Sequence, residues 1–391
     1  MSQYNYPSRR PSGNRSAPSR SRSRKRRRLS QSRENIRKRR RFYTICSVLL
    51  VIIIIIIACT AGGGNKKKAT QNNPAVRSAT YTLAAVKIGD SWGFVNAKGK
   101  LVIPCIFPNV GEFGANGLAA AESTDKKWGY IDHNGKWAIQ PVFRSAEGEE
   151  DSAPIGPFTS PGLAPARANN GKYGFINGSG KWAISPTFDS VREFNEDGIA
   201  AVCTNGLWGY IDQTGHTILA PKYADAGDFG TNGLAPVKTN AYSYYSYIDR
   251  SGKEVIPAKF REAYPFRNGI AGVITASGVC QYIDKTGMPK FPQAYGVLVS
   301  GHDGTQRFLG SFAANGLCPA TDGSGRCGFI NTSGSFAISL QFFRVDNFSD
   351  SGYAAVENTE YKWGFIDRTG TMVLSANYDD VGSFSTFTIR A

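Results

Sequence analysis

Two patterns of hydrophobic spacing divide the chain. From Phe42 to Ala61 the run FYTICSVLLVIIIIIIACTA carries no charge at all. At 1.5 Å per residue it is long enough to cross a bilayer as one helix, and the unbroken isoleucines Ile52 to Ile57 suit lipid. From Leu83 onward, short stretches alternate branched or aromatic residues with small or polar ones, the period of half-buried strands. No convincing helical period follows the apolar run. The spacing predicts one transmembrane helix over 42–61, a linker over 62–82 and an all-β domain over 83–391.

The β pattern repeats. KKWGYIDHNGKWAIQPVF starts at Lys126, GKYGFINGSGKWAISPTF at Gly171, GLWGYIDQTGHTILAPKY at Gly206 and YKWGFIDRTGTMVLSANY at Tyr361. Four further copies align with these. A second signature separates them, as in FGANGLAAA and FSDSGYAAV. The Trp-Gly position falls at 93, 129, 174, 209, 246, 281, 328 and 364, with steps of 36, 45, 35, 37, 35, 47 and 36. Such a period marks a repeat architecture, and the two long steps mark surface insertions, around Glu147–Asp151 and Ser300–Gly304. Each copy predicts three antiparallel strands: a Gly-Leu-Ala-Ala-Val type, a Trp-Gly-Tyr-Ile-Asp type and a Lys-Trp-Ala-Ile type. Asp-x-Thr-Gly, as in Asp212–Gly215, fits a turn between the last two, and the proline of Pro221-Lys222-Tyr223 is expected to end the ladder.

These motifs resemble the WG (KWG) repeat proteins over about Leu83 to Tyr378. The resemblance implies a β-rich repeat domain, mostly bacterial and often fused to membrane segments. It implies no particular reaction or ligand. Tyr245-Ser246, Cys280-Gln281 and Arg326-Cys327-Gly328 depart from Trp-Gly, so those copies are expected to pack less regularly. About eight three-stranded units can close as a β-propeller-like ring or stack as an open β-solenoid. The strand-like start at Leu83–Val86 and the degenerate end at Phe384–Ile389 favour closure.

Charge changes the picture only at the N-terminus. The net charge is +16, but residues 1–41 hold sixteen Lys or Arg against Glu34 alone, so the remainder is nearly neutral. This Arg/Ser-rich tail is too poor in apolar residues to fold and is expected to be disordered. It predicts attraction to anionic lipid, with nucleic-acid binding as the weaker alternative. Its basic residues outnumber Lys66, Lys67 and Lys68 on the far flank, which orients the span with the N-terminus in the cytoplasm and the repeats outside. Ile56-Ile57-Ala58-Cys59 also resembles a lipobox, in which cleavage would leave a lipidated Cys59, but a 41-residue basic leader is long for a signal segment.

Candidate chemistry is sparse. His133, His216 and His302 lie in turns or an insertion without triad or zinc spacing. The recurring Asp132, Asp212, Asp249, Asp284 and Asp367 interchange with Asn96, Asn177 and Asn331, as turn residues do, whereas calcium sites usually require several carboxylates close together. Gly323–Gly328 matches GxGxxG but leads into a strand, so no nucleotide site is expected. No catalytic, cofactor-binding or metal residues are expected. The tryptophans Trp92, Trp128, Trp208 and Trp363 share one repeat position and form a candidate aromatic binding row, if they are not core. Cys318 and Cys327 would face each other across a two-residue Asp322-Gly323 hairpin, a candidate disulfide. The expected function is a non-catalytic, membrane-anchored binding or scaffold module outside the cytoplasmic membrane, contacting an envelope polymer or protein. The alternative is an extracytoplasmic enzyme with its site in the inserted loops.

Overall fold

The computed structural model describes residues 78–145, 153–291, 299–300, 306–307, 310–321 and 325–390. The basic tail, the apolar run, Cys59, the acidic insertion around Glu149, His302 and Asp322-Gly323 lie outside these residues. Among the described residues there is no helix, and none long and apolar enough to cross a membrane.

The fourth copy displays the unit. Ile199–Thr204, Leu207–Asp212 and Thr217–Tyr223 form an antiparallel meander, and the two-residue strand Ser190–Val191 precedes it. The unit is therefore four-stranded where three strands were expected. Two residues are too few to show an alternating pattern, so the innermost strand leaves little trace in the sequence.

Ala201 lies opposite Tyr210 and Val202 opposite Gly209 in even register. Beyond that the ladder bulges: Trp208 pairs with Tyr223 while Tyr210 pairs with Leu219. The third strand presses inward at the bulge, where a Cβ on Gly209 would stand 2.5 Å from the Leu219 carbonyl oxygen. Only glycine fits, which is the physical content of the Trp-Gly pair. Pro221 sits at the bulge inside the strand rather than ending it, because its missing N–H falls where the ladder is already broken.

The turn chemistry is as expected. Asp212 Oδ1 accepts the N–H groups of Thr214 at 2.8 Å and His216 at 3.0 Å, and the Thr214 hydroxyl at 2.6 Å. Asn177 and Asn331 make the same bonds.

The units form a β-propeller. Among the described residues seven sheets of three or more strands make its blades, not the eight separate units expected from the repeat count. The fifth and sixth copies share one six-stranded sheet, because the strand Glu254–Ala263 passes through Arg261 without the single bend residue that separates neighbours at Asp189 and Ala224. The sixth copy is also the least regular. Within the described residues its third strand shows one bridge, between Ile283 and Pro289.

Closure comes from the ends of the β domain. Ser78–Ile88 pairs with Asp380–Arg390, so the last strand completes the first sheet. Apolar clusters fill the spaces between neighbours. Ala201 and Tyr210 pack with Phe229 and Val237, and across the closure Ala84 and Val95 pack with Phe365 and Phe384.

Candidate functional site at the channel mouth

A buried phenylalanine ends the inner strand at Phe113 and lies three residues past it at Phe194, Phe229 and Phe348, and the blade before sends an aromatic ring against that residue. The pairs include Phe94–Phe113 at 4.7 Å between ring centres, Phe175–Phe194 at 4.5 Å, Tyr210–Phe229 at 4.7 Å and Phe365–Phe384 at 4.6 Å. Where the ring is tyrosine, its hydroxyl donates to a main-chain carbonyl two residues before the phenylalanine. Tyr130 reaches Gly156 at 2.7 Å, Tyr210 reaches Gly227 at 2.8 Å and Tyr282 reaches Gly310 at 3.0 Å. This latch fixes the inner strand at each of these junctions.

The residue just before the phenylalanine is turned to the channel. It is Glu112, Pro157, Glu193, Asp228, Pro265, Ser311, Asn347 or Ser383. A cavity of about 520 Å³ opens there, lined by Glu112, Arg267, Ser311, Asn347, Ser383 and Thr386 among others. Residues more than 270 positions apart in sequence meet at it, as the axis of a closed ring requires. Main-chain groups stitch this girdle. The Ser383 N–H donates to Glu112 Oε1 at 3.0 Å, and the Ser311 N–H donates to Asn347 Oδ1 at 3.0 Å. At Glu193 the corresponding residue of the preceding blade is Pro157, which has no N–H to give.

Glu193 is correspondingly displaced. Burial among the blades, with Asp228 and Glu112 nearby, pushes its carboxyl up to about 7. Its side chain still meets water in the channel, so the surrounding protein rather than complete enclosure weakens its solvation. Burial also raises Asp228, against the lowering influence of Arg192 and Arg267. A second cavity, of about 470 Å³, is lined by the girdle residues Asp228 and Pro265 together with Arg192, Asp225, Tyr245 and Arg261. Much of its polarity is satisfied internally: the Tyr245 hydroxyl donates to Asp225, and Arg192 Nε donates to the Ala226 carbonyl at 2.8 Å.

The model of the WG-containing repeat matches residues 92–127, 128–173, 173–208, 208–242, 245–274, 328–361 and 363–385. The chain belongs to the WG-containing repeat family. The copy around Cys280-Gln281 is the one that falls between these stretches. Among curated proteins no sequence relative of this WG-repeat chain matches. Among solved structures it is similar to a eukaryotic initiation factor, with 13% identity over 79% of this chain and 98% of that one, at a TM-score of 0.47. BamB from Moraxella catarrhalis gives 13% identity over 77% and 91%, at 0.42. The dihydro-heme d1 dehydrogenase NirN gives 12% over 79% and 75%, at 0.46.

The tryptophans of the WG position do not form an exposed row. Trp128 is 3% and Trp363 2% exposed, and Trp92 and Trp208 are half-buried. Cations cover three of them: Lys87 lies 5.7 Å from the Trp92 ring centre, Arg192 5.3 Å from Trp208 and Arg344 5.9 Å from Trp363. The rings are blade core.

The disulfide expectation is also overturned. Cys318 pairs with Ile330 and Cys327 with Thr321, and both thiols are free. The connection spans five residues rather than two, which shifts the register. The two side chains enter different apolar clusters, Cys318 with Tyr282 and Phe312, Cys327 with Phe329 and Val345. Burial pushes the Cys318 thiol up to about 12.

His133 lies tilted against Tyr81 at 4.4 Å between ring centres, and His216 is an exposed turn residue. Among the described residues no three His, Cys, Asp or Glu side chains converge as metal ligands would. The girdle itself was missed in the sequence, although a signal was present: the residue before the recurring phenylalanine is never a large apolar one.

Proposed function

We propose that this WG-repeat protein is a non-catalytic binding or scaffold module whose contact surface is the mouth of the central channel. The observation that carries the reading is the division of labour within each repeat. Latch residues and Trp-Gly bulges recur from blade to blade, whereas the girdle position varies among Glu, Asp, Asn, Ser and Pro, and four of its residues, Glu112, Ser311, Asn347 and Ser383, line one open polar cavity. Varied polar groups in a concavity on a rigid frame suit recognition. The apolar run 42–61 is the membrane anchor in this reading, the basic tail rests on the anionic cytoplasmic leaflet, and the repeats face outward.

Capture of envelope polymers and proteins by the full chain, run beside a broad hydrolase screen, tests the binding reading. Robust turnover without binding would overturn it. A lipid label at Cys59 with loss of residues 1–58 would replace the anchor by a lipoprotein. One observation favours the enzymatic alternative: a carboxyl poised near neutrality, Glu193, is suited to general acid–base work. Turnover separates the readings: an enzyme of that kind loses it in Glu193→Gln, whereas a scaffold shows none in the wild type.

A further inference from the structure

We propose that the channel mouth takes a neutral, polyhydroxylated ligand: a short saccharide segment. This rests on the binding-module reading and names the ligand class of the same site. Two girdle side chains are each held by one half. Asn347 Oδ1 accepts the Ser311 N–H, which leaves the Nδ2 donor free, and Glu112 Oε1 accepts the Ser383 N–H, which leaves Oε2 as an acceptor. Their orientation is set before any ligand arrives, so little ordering opposes binding. The hydroxyls of Ser311, Ser383 and Ser385 line the same cavity and have no partner among the described residues. A hydroxyl both donates and accepts.

The cavity therefore offers a fixed donor, a fixed acceptor and several two-way groups. Vicinal diols present the same alternation. A phosphate needs donors only and would be repelled by Glu112 and Asp350, whereas a simple amine would meet Arg267. A peptide anchored by apolar side chains finds little to grip, because the lining residues Phe113, Phe312, Phe348 and Phe384 are only 5%, 1%, 4% and 2% exposed and are latched into the blades. A volume of about 520 Å³ is in the range of small-ligand sites.

The test uses the full chain in a detergent without a sugar headgroup, titrated calorimetrically with cellotriose, maltotriose and triacetylchitotriose, and with a capped tripeptide of similar size. At least one trisaccharide is expected to bind saturably. Asn347→Asp keeps the Oδ1 acceptor and replaces the donor, and should weaken that binding about tenfold. Ser383→Ala should weaken it several-fold with an unchanged melting curve, and it carries the test if the first variant does not fold. No binding by any of the three sugars, or binding indifferent to both variants, overturns the inference. Tripeptide or envelope-protein binding lost in these variants would overturn the saccharide class while leaving the binding module standing.

Discussion

The Tyr210 hydroxyl donates to the Gly227 carbonyl at 2.8 Å while its ring lies 4.7 Å from that of Phe229. One side chain thus joins two blades by a ring contact and a hydrogen bond. Phe94, Phe175, Phe329 and Phe365 make the ring contact without the hydroxyl, so the hydrogen bond is an addition to the latch rather than its basis. Tyr210→Phe should cost about 1 kcal/mol, the net value of one buried hydrogen bond. Phe229→Ala should cost about 3–5 kcal/mol, because it empties the interface. Urea unfolding followed by tryptophan fluorescence checks both. Equal losses would mean that the hydrogen bond, not the packing, holds the junction.

The Trp-Gly pair makes a sharper prediction. Adding a methyl at Gly209 places it 2.5 Å from the Leu219 carbonyl oxygen and 2.7 Å from the Pro221 nitrogen, both main-chain atoms that cannot rotate away. Gly209→Ala should destabilise by about 1–3 kcal/mol, as overpacking does. Ser246 occupies the same place in the fifth copy and is 2% exposed. Its blade is already adjusted to a side chain, so Ser246→Gly should leave a small void and a loss below about 1 kcal/mol. Thermal melts of the two variants rank them, and the reverse order would refute the steric account.

Stability should respond to pH through Glu193. Its folded carboxyl is raised from an ordinary 4.5 to about 7, first by burial and then by Asp228 and Glu112. Between those values the folded state binds the proton more tightly than the unfolded one. Stability is therefore greatest below the unfolded value and falls as pH rises through about 7. The turn carboxylates Asp212, Asp249, Asp284 and Asp367 are lowered by their Ser or Thr hydroxyls and turn N–H groups, and work in the opposite sense: their contribution is present above their ordinary value and is lost as pH falls through the lowered folded value. Melting temperatures of the wild type and Glu193→Gln from pH 5 to 8 isolate the first effect. The wild-type slope should flatten in the variant. Pro157→Ala should flatten it partly, by restoring an N–H at the stitching position.

Much of this fold is legible in the sequence, and the failures have particular causes. Asp212, Thr214 and Gly215 announce their turn because the carboxylate, hydroxyl and left-handed residue all act within five positions. Gly209 announces a strand but not the bulge, since the carbonyl that excludes a side chain lies ten residues away. Pro221 was expected to stop a strand that in fact runs through it, for the same reason: the broken ladder is a property of two strands together. The Cys318–Cys327 pairing relied on a two-residue loop, and hairpin register is fixed by loop length, so an error of three residues moved every partner. The girdle was obscured because Glu112, Ser311, Asn347 and Ser383 become neighbours only when the ring closes.

Closure gives the last prediction. The strand Asp380–Arg390 adds to Ser78–Ile88, pairing Tyr81 with Phe387 and Leu83 with Ser385. It also supplies Phe384, the latch partner of Phe365, and Phe387, which stacks on Phe113 at 4.8 Å. No other segment can replace these contacts, since the first sheet takes its innermost strand from the far end of the β domain. Removing residues 380–391 should therefore open the junction between first and last blades, expose the face formed by Ala84, Val95 and Phe365, and lower the melting temperature far more than a surface truncation would. Because each blade packs chiefly on its neighbours, the opening should spread from that seam rather than begin elsewhere. Hydrogen exchange read by mass spectrometry would show it: protection lost first over 78–96 and 354–378, with 199–260 retained longest. Uniform loss across all blades would mean that the ring unfolds as one unit, and unchanged exchange at the seam would show that the terminal strand does not close it.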